Sequence, residues 1–236
     1  FENFPDPMRL SLALLCALVA PTSLLACDTN DHSYSFDLLV MQWPPAFNKN
    51  INHLTLHGLW PSRAQSDNYP CDCTNEQFDM SKLSDLESRL DQNWPSLFNK
   101  DSQSFWAHEW TKHGTCSHDI PALDGEYNYF KTALDLRDAY DFSEALTQKG
   151  ITPGGSYDPK EMVQIAQSAM NAQMVLGCDN KNQIQTMSLC LDKTLQPMDC
   201  PSSILGGSYA DCKMDQKVYW AAPSSYAQEE ATVATA

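Results

Sequence analysis

Two stretches of the 236-residue chain gather side chains that can move protons. The denser is Phe105-Trp106-Ala107-His108-Glu109-Trp110-Thr111-Lys112-His113-Gly114-Thr115-Cys116. At about 100° per residue, a helix over this run carries His108, Lys112, Glu109 and His113 within an arc of roughly 140°. Two imidazoles, a carboxylate and an ammonium then share one continuous polar face, with Trp106 and Trp110 beside it. The second stretch, Leu54-Thr55-Leu56-His57, reads as a strand whose period of two puts Leu54 and Leu56 on one face and Thr55 and His57 on the other. Gly58 permits a bend after it. If strand end and helix meet, His57 and His113 form an acid–base pair suited to mildly acidic pH, since an unperturbed imidazole titrates at about 6.5.

Other chemistries fit these residues less well. A zinc hydrolase motif needs histidines at i and i+4 with a glutamate beside the first. His108 and His113 stand at i and i+5, and Lys112 would set a cation against the metal. Cys71-Asp72-Cys73 has no second pair at zinc-ribbon distance, and no Gly-x-Ser-x-Gly elbow occurs. RNA cleavage matches an imidazole pair directly. The 2′-hydroxyl loses a proton and attacks the adjacent phosphorus, while the departing 5′-oxygen gains a proton. This route calls for no metal or other cofactor, and a nearby Lys offsets the charge of the phosphorane.

The elements that must hold these residues are interspersed strands and helices. Ser35 to Trp43 reads as a strand ended by Pro44-Pro45. Met80, Leu83, Leu86 and Leu90 recur at helical spacing after a capping Asp79. Asp158-Pro159-Lys160-Glu161 opens another helix. Tyr127 to Tyr140 and Phe142 to Lys149 read as helices, and Ile184 to Leu191 and Val218 to Trp220 as late strands. Without a βαβ rhythm, the fold class is α+β, a mostly antiparallel central sheet packed against several helices.

Met8-Arg9 followed by an apolar run from Leu10 to Val19 reads as a signal peptide ending near Ala26, with residues 1–7 upstream of it. Leu24-Leu25-Ala26-Cys27 also resembles a lipoprotein cleavage box. Residues 27–223 then form one domain and 224–236 a loose polar tail. No later apolar run is long enough to span a membrane. Removing Glu2, Asp6, Arg9 and Cys16 from 15 basic, 30 acidic and 9 cysteine residues leaves 14, 28 and 8. The even cysteine count suits an exported, oxidised protein, secreted or vacuolar-lysosomal. The acidic balance excludes a broad basic face for duplex DNA.

Leu54-Thr55-Leu56-His57-Gly58-Leu59-Trp60-Pro61 and Phe105 to Cys116 resemble the two active-site segments of the T-two family of ribonucleases. The similarity extends from Phe36-Asp37-Leu38-Leu39-Val40-Met41-Gln42-Trp43-Pro44 through Asn93-Trp94-Pro95-Ser96 to the late cysteines. The resemblance implies a monomeric endonuclease of single-stranded RNA, forming a 2′,3′-cyclic phosphate and then a 3′-phosphate. His113 would be the base, His57 the acid, Glu109 and Lys112 stabilisers of the pentacoordinate phosphate, and His108 the phosphate holder. Trp60 would stack a base, with Tyr69 as the other wall. Gln42, Trp94, Pro95, Ser96 and Phe105 are candidates for the second base, with core packing as the alternative for Trp94 and Phe105. Ser62 replaces the Asp or Asn that many relatives carry after Trp-Pro, implying broad base preference. Family pairing joins Cys178 to Cys212 and Cys190 to Cys200. Cys116 joins Cys71 or Cys73, and Cys27 takes the one left over. His32, His53 and His118 match no motif and are expected at the surface. The rival reading is the same fold serving as a signalling or cytotoxic ligand, which would tolerate loss of His113.

Overall fold

The computed structural model describes residues 27–65, 68–98, 101–205 and 210–223, so the leader and the tail lie outside the described residues. The strands are β1 (Cys27–Asp28), β2 (Phe36–Gln42), β3 (Thr55–Ser62), β4 (Tyr69–Pro70), β5 (Ser156–Tyr157), β6 (Val175–Cys178), β7 (Ile184–Leu191), β8 (Pro197–Met198) and β9 (Val218–Tyr219). The helices are α1 (Glu87–Asn93), α2 (Ser102–Lys112), α3 (Glu126–Ala139), α4 (Phe142–Thr147), α5 (Pro159–Met170) and α6 (Ser202–Leu205). The main sheet is antiparallel in the order β3-β2-β7-β6, with β8 added to β7. This is the α+β architecture that the interspersed periodicities imply.

All seven residues of β2 are buried, because strands flank it on both sides and apolar layers cover both faces. Leu39 and Met41 enter the larger core with Trp94, Trp106, Trp110, Tyr129 and Phe130. Phe36, Leu38 and Val40 enter a smaller one with Cys190, Cys200 and Ile204.

β3 lies at the sheet edge, and side chains take the place of a neighbouring strand. The Leu54 carbonyl accepts from Arg137 Nε at 2.9 Å and Nη2 at 2.7 Å, the His57 carbonyl from Trp94 Nε1 at 2.8 Å, and the Leu59 carbonyl from Tyr129 Oη at 2.9 Å. An open edge is thereby closed to further strands and its polar backbone satisfied.

The strand also breaks its own alternation. Val40 pairs with Gly58 but Met41 pairs with Leu56, which leaves His57 as the extra residue of a β-bulge. Leu54, Leu56 and Leu59 consequently all face the larger core. The period of two therefore holds up to Leu56 and shifts by one at the histidine.

Asp101, Asp141 and Asp158 cap α2, α4 and α5 through their side chains. The helix expected from Met80 to Leu90 is divided into a 3-10 turn, Met80–Leu83, and α1. Asp79 accepts from Ser81, and short polar residues of this kind compete for backbone partners and favour turns. Leu83, Leu86 and Leu90 still share the core.

Four disulfides join Cys27 to Cys71, Cys73 to Cys116, Cys178 to Cys212 and Cys190 to Cys200. Cys116 thus takes Cys73 of its two possible partners. A Cys27 sulfur bonded to Cys71 has no valence for a lipid thioether, which removes the lipoprotein reading. Cys27, Cys71 and Asp72 group as potential metal ligands, but both sulfurs are spent in that bond.

Candidate active site

The sequence of α2 buries one side and fastens its C-terminal end. Asp101 Oδ1 accepts from the Ser104 backbone at 2.8 Å and starts the helix. Trp106 and Trp110 enter the core, and Glu109 follows Trp106 by nearly one turn onto the same side. His113 is the C-terminal cap residue, followed by a 3-10 turn over Gly114–Cys116. The Cys73–Cys116 bond and the Asp72 backbone donating to the Lys112 carbonyl at 3.1 Å secure this end.

The polar arc is divided between solvent and the protein interior. His108 is exposed and Lys112 half-buried, whereas Glu109 is 1% exposed and His113 is buried. Packing of α2 against β3 desolvates the inner half of the arc. Gly58 allows that approach, since a Cβ there would lie 2.1 Å from Trp60 Nε1 and 2.2 Å from Glu109 Oε2.

Trp60 is the hub. Its ring meets His57 edge-on at 4.9 Å between centroids and lies nearly parallel to His113 at 5.2 Å and 27°. Trp60 Nε1 donates to Glu109 Oε2 at 2.9 Å, and Glu109 Oε1 stands 3.9 Å from His57 Nε2. The Gln42 amide pairs with His57 Nδ1 at 3.0 Å. Tyr69 stacks on His113 at 5.7 Å and 29°, with Lys112 Nζ 5.4 Å above the Tyr69 ring. Residues distant in sequence, His57 and His113 among them, are thus gathered around one indole.

Burial decides the protonation states. It pushes His57 down to about 4, helped by the positive charges of His108 and Lys112. Burial likewise holds His113 well below the usual imidazole range, again with Lys112, His108 and His57 adding to the effect. Glu109 moves oppositely, up to about 8, because desolvation outweighs the Trp60 hydrogen bond and the Lys112 charge. Burial therefore favours the neutral imidazole at His113 and the neutral carboxyl at Glu109.

The model of the Ribonuclease T2 family matches residues 26–200. The chain belongs to this family. It is 32% identical over 210 residues to ribonuclease DdI of Dictyostelium discoideum, covering 82% of this chain and 92% of that one. It is 31% identical over 212 residues to the extracellular ribonuclease LE of Solanum lycopersicum, covering 81% and 91%. Among solved structures, RNase NT in complex with 5′-AMP superposes with a TM-score of 0.67 at 29% identity, covering 80% of this chain and 98% of that one.

In this T2 chain a cavity of about 210 Å³ opens beside His57, lined by Gln42, Trp60, Phe47, Phe98 and Asp211 among others. Gln42 has the expected location, though it is buried and bonded to the imidazole. Pro95, Ser96 and Phe105 are half-buried, with Phe105 5.6 Å from His57. Of the two readings of Trp94, core packing is the one its place fits: it is fully buried and its N–H is spent on the His57 carbonyl. Trp60 is 7% exposed, packed in the smaller core and against the two imidazoles, so it shows the cavity only part of its ring. The Ser62 hydroxyl donates to the Trp60 carbonyl at 2.9 Å and is committed there.

Phe47, Phe98 and Asp211 were not found from the sequence. Phe47 and Phe98 meet edge to face at 5.6 Å, and Asp211 Oδ1 accepts from the Cys178 backbone at 2.8 Å. No local pattern marks them, because three separated segments create the cavity only when the sheet assembles. His32 is exposed, His53 bonds the Gln92 carbonyl, and His118 pairs with Asp124 at 2.7 Å.

Proposed function

We propose that this protein is an endoribonuclease that cleaves single-stranded RNA by transphosphorylation to a 2′,3′-cyclic phosphate, then hydrolysis to a 3′-phosphate. The observation that carries the reading is Trp60 in contact with both His57 and His113 while bonded to Glu109.

Neutral His113 accepts the 2′-hydroxyl proton. His57, open to solvent over 31% of its side chain, protonates the departing 5′-oxygen, and the roles reverse when water opens the cyclic ester. A neutral Glu109 donates a hydrogen bond to a non-bridging phosphoryl oxygen, where an anion would repel it. Lys112 supplies positive charge, and His108 holds the phosphate at the exposed rim. The base before the scissile bond rests against Tyr69, and the base after it enters the cavity beside His57. The Ser62 hydroxyl, turned to its own backbone, supports broad base preference.

The acid His57 is protonated in quantity only toward pH 4 to 5, so the reading includes an acid optimum. Lower pH also weakens the repulsion between RNA and a strongly acidic protein. An oxidised, acidic setting, extracellular or vacuolar-lysosomal, fits four disulfides. Among the described residues no helix is long and apolar enough to cross a membrane.

The test is RNA incubated with the purified protein and a chelator at pH 4.5, with product ends analysed. Cyclic phosphate ends are expected. A requirement for a divalent ion, or maximal cleavage above pH 8, overturns the mechanism.

A further inference from the structure

Trp94 and Trp106 are deeply buried, and both of their N–H groups are committed in series. Trp94 Nε1 donates to the His57 carbonyl at 2.8 Å, and Trp106 Nε1 donates to the Trp94 carbonyl at 2.7 Å. Trp106 belongs to α2, the helix that carries Glu109 and ends at His113. The path therefore runs from the backbone of one imidazole-bearing element to the helix bearing the other.

We propose that these two indoles are positioning residues that set the separation of His57 from His113. His57 is a bulge residue without a partner in β2, and among the described residues no strand pairs with the other side of β3. Ladder pairing therefore does not fix its backbone. The Gln42 amide restrains rotation of the His57 ring, and Trp60 ties Glu109 by a side chain. The indole relay instead holds a main-chain atom of the acid relative to the helix of the base. A planar donor with two torsions transmits that restraint stiffly, and Phe130 packs on the Trp94 ring at 5.1 Å to keep it in place. Because a misplacement of about 1 Å costs roughly 10²-fold in rate, a restraint on this distance acts on kcat rather than on substrate affinity.

This inference rests on His57 and His113 being the acid and the base. The experiment compares Trp94→Phe, Trp106→Phe and their double variant at 25 °C, with melting temperatures measured in parallel. Each single change is expected to lower kcat about tenfold with KM within about twofold of the original. The double variant should be no slower than the worse single one, since both break the same path. Tyr129→Phe is the control. It removes the neighbouring bond to the Leu59 carbonyl on the same strand without interrupting the path to α2, and should lower the melting temperature but leave kcat within about twofold. If one indole variant cannot be purified, the other against Tyr129→Phe still decides. Unchanged kcat in the indole variants, multiplying effects in the double, or an equal kcat loss in Tyr129→Phe each overturns the relay. His57→Ala and His113→Ala are assayed alongside. If those two retain cleavage, the assignment of acid and base has failed, whereas their inactivity beside fully active indole variants defeats the relay alone.

Discussion

β2 and β3 lie side by side but are held by different means. β2 is bonded to strands along both edges, and all seven of its residues are buried. Among the described residues β3 has a strand on one edge only, and on the other an arginine, an indole and a phenol, with a bulge at His57. The ladder around β2 supplies rigidity that few single side chains can alter. β3 trades part of that regularity for a histidine aimed by its neighbours. Changes to the side chains that aim His57 should therefore act on rate, and changes within β2 on stability.

The largest effect tests the β3 side of this contrast. His113→Ala or His57→Ala should lower RNA cleavage at pH 4.5 by at least about 10³-fold, as expected for removal of a general base or acid. Retention of even a tenth of the original rate would remove that residue from the mechanism. Next comes Glu109, whose carboxyl is held neutral by burial. Glu109→Ala should cost about 10²-fold in kcat, and Glu109→Gln, which keeps a donor to phosphate and an acceptor for Trp60, about tenfold. Equal losses in the two would show that the negative charge matters instead.

The β2 side is tested by Asp37, fully buried in mid-sheet with neither carboxyl oxygen hydrogen-bonded. Burial pushes its carboxyl up to about 7, with Lys193 opposing and Asp119 adding to the rise. The unfolded chain releases this proton near pH 4 and the native chain near 7. Its contribution to stability is full below about 4 and lost as pH rises through 7. Asp37→Asn should thus stabilise the protein at pH 7.5 by about 3 kcal/mol relative to the same change at pH 4, with cleavage at pH 4.5 within about twofold. Thermal melts at the two pH values measure this, and an unaltered pH slope would refute it. His57 and His113, both depressed, act in the opposite sense and cost stability as pH falls below about 6.5.

The smallest effect concerns His108. Removing its charge with His108→Asn should relax His57 upward and move the alkaline limb of kcat/KM up by less than one pH unit. A full pH–rate profile reads the shift, and an unmoved limb would leave burial and Lys112 as the only influences on His57.

Much of this site could be read before any fold was known, because two imidazoles, a carboxylate and an ammonium in two short runs are chemically conspicuous. The antiparallel α+β plan followed from the order of periodic segments. The bulge at His57 was hidden, since an extra residue is defined only against the strand opposite. Trp94 shows the same limit: an indole after a helix suits a base or a core equally, and only the location of the His57 carbonyl decides. The depth of Glu109 was not legible either, because its burial depends on Gly58 admitting the helix, a fact of packing between segments far apart in sequence.

The bond between Cys73 and Cys116 has a consequence for when the protein can act. It closes just past His113, so a chain in which these sulfurs are still thiols has no covalent hold on the turn that follows this imidazole. On the proposed mechanism, competence is thereby coupled to oxidation: RNA cleavage would rise as these two thiols pair.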